Sequence, residues 1–224
     1  TSGDKILDVP LAAIGGKGLF VKEIEEALSG GRIDLAVHSM KDMPAELPPG
    51  LIIGAVPVRE TPFDALISRD GVSFSGLPEG CRVGTSSLRR AAQLRALRPD
   101  MTIVPLRGNI DTRLAKLDRG EMEAIILAAA GLSRLGLAGA ITEHLTEEIM
   151  LPAVAQGALC IETREADAFI NNIVGRIGHA DTRLAVTAER AFLRKLEGGC
   201  QIPIAALAKT DNGAISMDGL VADV

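Results

Sequence analysis

Short apolar runs bounded by polar turns alternate with stretches whose apolar residues recur every three or four positions, which predicts strands alternating with helices. Within Leu19 to Leu28, Phe20, Ile24, Ala27 and Leu28 share a helical face, and Gly30-Gly31 marks the stop. Ile33 to Val37 reads as a short buried strand that turns abruptly polar at His38-Ser39-Met40-Lys41-Asp42-Met43-Pro44. Leu51 to Val58 is a further strand, Arg59-Glu60-Thr61-Pro62 a hinge or crossover, and Asp64 to Ser68 the next strand.

A repeated unit follows. Cys81 to Gly84 predicts a strand, and Thr85-Ser86-Ser87-Leu88-Arg89-Arg90 opens a helix that Pro99 ends. Thr102 to Leu106 is a strand, Arg107-Gly108-Asn109 a tight turn, and Ile110 to Asp118 a helix with Ile110, Leu114 and Leu117 on one face. Glu123 to Ala128 then leads into the segment Ala129 to Arg134. Each strand-to-helix junction carries arginine, and in a parallel βαβ sheet such junctions lie along one edge, where their charges converge. Ala158 to Glu162 reads as a strand returning to the first part of the chain, and Asp167 to Ile177 as a helix. A second helix is expected to be capped by Asp181-Thr182, with Leu184, Ala188, Ala191 and Leu196 as its core face. Ile204 to Val224 alternates like strands around a turn at Asp211-Asn212-Gly213.

With 224 residues, 47% of them apolar, the chain can bury a substantial core. A net charge of −5 argues against general nucleic-acid or membrane-surface binding, but the charge is unevenly spread. Between Arg82 and Arg119 nine basic residues stand against three acidic ones, so either an anionic ligand is held there or the arginines cover solvated helix faces. Five Phe without Trp or Tyr offer little for stacking bases. Cys81, Cys160 and Cys200 are too far apart for a disulfide framework or a CxxC metal site, and a reducing, cytoplasmic setting is the default. No run approaches the ~20 apolar residues of a membrane span, and Thr1-Ser2-Gly3-Asp4 does not read as a signal peptide.

The candidate chemistry is a set of groups at element ends. Two arginines in the first turn of a helix oppose its dipole, and this calls for an anion between them. Gly15-Gly16-Lys17-Gly18 lacks the spacing of a nucleotide P-loop and reads as a flexible loop presenting Lys17 to an anion. Cys200 follows Gly198-Gly199 on a loop, whereas Cys81 and Cys160 lie in apolar strands and suit packing. Without a histidine motif nearby, Cys200 suits covalent anchoring as well as turnover at sulfur. His38, His144 and His179 have no metal-ligand spacing, and no metal is expected. Converging guanidinium groups favour a polycarboxylate or phosphate ligand, and an aspartate among them is ionised. Asp42 at its strand end is the central candidate; a plain Lys41–Asp42 surface pair ahead of Pro44 is the alternative.

His38 to Pro44, Gly84 to Arg90, Leu106 to Asn109 with Thr112-Arg113-Leu114, Leu151-Pro152-Ala153-Val154 and Glu197-Gly198-Gly199-Cys200 together resemble the hydroxymethylbilane synthase family, also called porphobilinogen deaminase. The resemblance runs in order through essentially the whole chain. It implies head-to-tail condensation of four porphobilinogen molecules with loss of ammonia, on a dipyrromethane cofactor joined by a thioether to Cys200. It puts the catalytic carboxylate on Asp42. Cofactor contacts fall on Lys41, Thr85, Ser86, Ser87, Arg89 and Arg90, and substrate contacts on Lys17, Phe20, Arg107, Arg113 and Arg134. Lys17 and Phe20 match a mobile loop near the family's cleft.

The resemblance also implies an α/β fold of two hinged periplasmic-binding-protein-like domains plus a smaller α+β domain. Residues 1–58 and 156–176 would form the first, 59–155 the second and 177–224 the third. Family members begin before the position of Thr1 and continue past Val224, so the N-terminal part of the first domain and the C-terminal part of the third are expected to be missing. Ala155 replaces a glycine usual in Pro-Ala-Val-Gly-Gln-Gly, with a small local backbone effect expected. The partner implied is porphobilinogen, acting on a monomer without nucleic acid or membrane. The competing reading is a non-catalytic two-lobed anion- or solute-binding module, which would explain the arginines but would have no need of Cys200 on a glycine loop.

Overall fold

The computed structural model describes residues 16–196 and 202–223, the side chains of 16–20 excepted. Helix α1 (Gly16–Ser29) is followed by strands β1 (Leu35–Ser39), β2 (Leu51–Ala55), β3 (Asp64–Ser68) and β4 (Arg82–Gly84). Helix α2 (Leu88–Leu97), β5 (Thr102–Val104), α3 (Ile110–Asp118), β6 (Ala124–Ala128), α4 (Ala129–Arg134) and β7 (Glu143–Leu145) come next. The remainder is β8 (Leu159–Arg164), α5 (Ala168–Gly175), α6 (Ala180–Lys195), β9 (Ile204–Asp211) and β10 (Ala214–Val221).

Strand β8 is the centre of a three-stranded sheet, antiparallel to β1 on one side and β2 on the other, so the chain does return to its first part after residue 158. A five-stranded sheet, ordered β5-β4-β6-β3-β7, occupies residues 64–145. There β5, β4 and β6 run parallel, while β3 and β7 are antiparallel to their neighbours; the sheet is mixed, not wholly parallel. Strands β9 and β10 form a hairpin whose turn residues, Asn212 (φ 49) and Gly213 (φ 81), take the two left-handed conformations a type I′ turn requires.

All five residues of β3 are buried, and their alternation places them in two cores. Leu66 packs with Val83, Leu94 and Ile126 beneath α2; Ala65 and Ile67 pack with Leu117, Leu127 and Leu132 beneath α3 and α4. Helices on both faces make three layers, and each Leu or Ile so enclosed contributes about 1.5–3 kcal/mol. Cys81 belongs to the first of these cores, and Cys160 to another that joins Val21, Met40, Val186 and Ile204, in keeping with packing roles for both cysteines.

Three local expectations are corrected. Among the described residues strand β1 is buried on one face only, Leu35 and Val37 being 40% and 58% exposed; there it pairs with β8 alone, and its inward residues are Ala36 and His38. Helix α1 (Gly16–Ser29) already includes Lys17, which therefore lies in a helix and not on a loop. Helix α6 is capped by His179, whose ring accepts from Thr182 N, and its buried face is Thr182, Ala185, Val186, Glu189 and Arg190, while Leu184 and Leu196 are exposed. Apolar spacing selected the wrong face because two of the buried positions are charged.

Glu189 explains that inversion. Its fully buried carboxylate accepts from Arg59 Nη1 (2.6 Å) and Nη2 (3.1 Å), from Ala155 N (2.6 Å) and from Ala208 N (2.9 Å), tying α6 and β9 to the two connections between the larger sheets. A buried charge is tolerable only with such complete pairing. The two connections touch at Gly157 (φ 86), where an added Cβ would come within 2.6 Å of the Thr61 carbonyl oxygen. Ala155 itself sits at φ 58, the left-handed region a glycine would occupy without strain.

Candidate active site

The carboxyl ends of the parallel strands β4, β5 and β6 open onto the starts of α2, α3 and α4, so the three arginine-bearing junctions do share one edge of the sheet. Ser87 caps α2 by accepting from Arg90 N at 3.5 Å, and Asn109 caps α3 by accepting from Thr112 N at 2.8 Å. Strand β1 ends in a single 3₁₀ turn, Met40–Asp42, anchored by Met40 N donating to the Ala158 carbonyl at 3.0 Å. Met40 is buried, while Lys41 and Asp42 are half-buried.

The anion called for by Arg89 and Arg90 lies within the chain. Asp64, the first residue of β3 and 0% exposed, accepts from Arg89 Nη1 (2.8 Å) through one oxygen and from Arg90 Nε (3.1 Å) and Nη2 (2.7 Å) through the other. Arg89 Nη1 also donates to the Leu151 carbonyl (2.7 Å), and Arg90 Nη1 to that of Ile126 (2.9 Å). Burial by itself raises the Asp64 carboxyl, but the two guanidinium charges and their hydrogen bonds outweigh it and hold the group well below the usual carboxylate range. Burial, with Arg90 beside it, lowers Arg89 from the ordinary arginine value, and Asp64 opposes that shift. The fork of Arg90 is thus engaged by protein, whereas Arg89 directs a single nitrogen at Asp64.

Gln156 carries the network across to β1. Its Nε2 donates to Asp64 Oδ1 (2.9 Å) and to the Pro62 carbonyl (2.8 Å), and its Oε1 accepts from Lys41 Nζ (3.4 Å). Next to it, the Gly157 carbonyl accepts from Arg134 Nη2 at 2.7 Å. Ser39, Lys41, Gly131, Arg134 and Gly157 line a small cleft of about 60 Å³ between the end of β1 and the β6–α4 junction, so groups distant in sequence face one another there. Arg113, half-buried on α3, donates from Nε to the Gly108 carbonyl (2.7 Å) and has no salt bridge among the described residues. Burial first, and then the charge of Arg90, lower its guanidinium from the ordinary value, so Arg113 adds positive charge near Arg90.

The three hydroxyls shape this edge. Thr85 Oγ1 accepts from Ser87 N (3.2 Å), and Ser86 Oγ bridges the backbone of Leu106, donating to its carbonyl (2.9 Å) and accepting from its N–H (3.0 Å). Arg107 is exposed just beyond β5. Cys200 and the side chains of Lys17 and Phe20 lie outside the described residues. Sequence reasoning missed Asp64 and Gln156. The available signal was a carboxylate opening a strand with no other polar residue before Ser68, which a buried strand accepts only when the charge is paired.

These features define a mixed α/β protein with a small cleft between the end of β1 and the β6–α4 junction, lined by Lys41 and Arg134, on the sheet edge where the arginine-bearing junctions gather. The family description "Porphobilinogen deaminase, dipyromethane cofactor binding domain" matches residues 1–172, and "Porphobilinogen deaminase, C-terminal domain" matches residues 183–224. The porphobilinogen deaminase of Syntrophotalea carbinolica is 59% identical over 224 residues, all of this chain and 71% of that protein. That of a Roseiflexus species is 54% identical over 221 residues, 99% of this chain and 73% of that protein. Among solved structures, a putative methionine-binding lipoprotein from Bacillus subtilis is 12% identical and covers 80% of this chain and 81% of its own, with a TM-score of 0.47. The chain belongs to the porphobilinogen deaminase family, and a merely solute-binding module is not favoured.

Proposed function

We propose that the chain joins four porphobilinogen molecules head to tail into linear hydroxymethylbilane, releasing ammonia at each addition, with Asp42 as its catalytic carboxylate. The observation that carries this reading is the placement of Lys41, next to Asp42 at the end of β1, across a cleft from Arg134 beyond the β6–α4 junction. Each pyrrole brings two carboxylates, which matches a site whose cations outnumber its acids.

The donors fit dipyrromethane, whose acetate and propionate groups suit guanidinium and ammonium partners. Lys41 and Arg89 would hold it, with Arg90 kept on Asp64 behind them, Thr85, Ser86 and Ser87 shaping the loop beneath, and Cys200 would carry the thioether. When bound, the group would supply the terminal pyrrole carbon onto which the first new unit is joined. Arg107, Arg113 and Arg134, with Lys17 and Phe20, bind the incoming and growing chain. Arg113 and Arg134 suit this role, since neither has a salt bridge among the described residues and each donates to a backbone carbonyl. Asp42 accepts a hydrogen bond from pyrrole N–H and stabilises the positive charge that develops as the amine leaves, a task for its ionised form.

The reading extends to three domains, 1–58 with 156–176, 59–155, and 177–224, and to a cytoplasmic monomer without nucleic-acid or membrane partners. It is tested by following porphobilinogen consumption in Asp42→Asn. Cofactor-loaded variant protein that turns over slower than wild type by about 10² or more supports the assignment; near-normal turnover removes Asp42 from its role.

A further inference from the structure

A second and larger cavity, of about 390 Å³, lies between helix α6 and the chain that joins β1 to β2. Its volume is in the range of small-molecule sites, about 300–1,000 Å³. It shares no lining residue with the cleft beside Lys41 and Arg134. Met40, Leu47, Ile53 and Val56 make much of its lining apolar, and the same four side chains pack into one core. Helix α6 supplies the rest of the surface with Arg183, Thr187, Arg190 and Arg194.

These four positions are separated by four, three and four residues, which sets them on one face of the helix. Such a stripe is not what helix stability selects. Arg190 and Arg194 are like charges four apart, and Arg183 is the fourth residue of α6, where the helix dipole opposes a cation; only Arg194, in the last turn, is favoured by that dipole. Two of the guanidinium groups are held in place by neutral partners. Arg190, 7% exposed, donates from Nη2 to the carbonyls of Pro44 (2.6 Å) and Ala45 (3.2 Å), and Arg183 donates from Nη2 to those of Ile53 (3.1 Å) and Gly54 (2.9 Å). A carbonyl orients a guanidinium without cancelling its charge. Glu46 is the one acid in the lining and is exposed, so three positive charges stand against one beside an apolar surface.

We propose that this cavity is a binding site for a small molecule that carries two or more carboxylates on an apolar ring. The guanidinium groups match carboxylates, and because two of them are already oriented, little side-chain freedom is lost on binding. Met40, Leu47, Ile53 and Val56 favour a hydrocarbon body over a bare anion. The site is separate from the cleft, and the inference does not depend on the role of Asp42.

Phthalate, two carboxylates on a benzene ring, is the probe, and inorganic phosphate is the bare anion set against it. Calorimetric titration of the purified protein at low ionic strength should give a Kd for phthalate below about 1 mM, and about tenfold tighter than that for phosphate. Arg194→Gln, at an exposed position that leaves the fold intact, weakens phthalate about tenfold. Glu46→Gln, which removes the opposing charge, tightens it about twofold. Arg134→Gln, in the cleft, leaves phthalate binding unchanged. Phthalate heat that Arg134→Gln abolishes and Arg194→Gln preserves would place the probe in the cleft and overturn the proposal. So would the absence of phthalate binding up to about 10 mM, or equal affinities for phthalate and phosphate, the mark of a diffuse positive surface. These outcomes leave the Asp42→Asn test untouched, so the two readings fail separately.

Discussion

Asp64 and Arg90 are clasped through two nitrogens, Arg90 Nε and Nη2 both donating to Asp64 Oδ1 at 3.1 and 2.7 Å inside the protein, while Arg89 Nη1 holds the other oxygen at 2.8 Å. Asp64→Asn leaves two buried guanidinium groups without a counter-charge and is expected to destabilise the fold by about 3–5 kcal/mol, measured by urea unfolding. Because the Asp64 carboxyl is depressed in the folded state, its contribution is complete above the ordinary carboxylate pKa, about 3.9, and is lost as pH falls towards the folded value below it. The acid limb of the wild-type stability curve should be visibly flattened in the variant.

Arg113 behaves oppositely. With one hydrogen bond to a carbonyl and no salt bridge among the described residues, Arg113→Gln should change stability by about 0.5 kcal/mol or less. If its charge serves the ligand, KM for porphobilinogen rises about tenfold, or ~1.4 kcal/mol. A variant that unfolds readily but binds normally would mark Arg113 as structural.

These two predictions divide what the sequence disclosed from what it hid. The strand-helix alternation from Cys81 to Arg134 was legible because turn residues and caps such as Ser87 and Asn109 act locally. The need for an anion at Arg89 and Arg90 was legible too, but its source was not, since Asp64 lies 25 residues upstream and meets them only through the sheet order β4-β6-β3. Helix α6 misled for a related reason. Its buried Glu189 is satisfied by Arg59, Ala155 and Ala208, three partners that no periodicity reveals.

Ala155 gives a prediction of opposite sign. At φ 58 its Cβ is strained, and Ala155→Gly should stabilise the protein by about 0.5–1 kcal/mol despite the added freedom of the unfolded chain. The midpoint of thermal unfolding is the readout, and a lowered midpoint would show that the surrounding contacts relieve the strain.

Cys81 and Cys160 are buried, and burial raises both thiols, that of Cys160 to about 12. Alkylation of the native protein near pH 8 should therefore label neither, whereas denatured protein is labelled at both. Peptide mapping after iodoacetamide treatment separates the two states.

The central claim is a cleft built to work on a dipyrrole held by Cys200, and the intact mass of the purified protein tests it most directly. Protein folded with porphobilinogen available should carry the added mass of a dipyrromethane unit, and Cys200→Ser should lack it while remaining folded. An unmodified mass in the wild type under those conditions, or the same added mass in Cys200→Ser, would contradict the account.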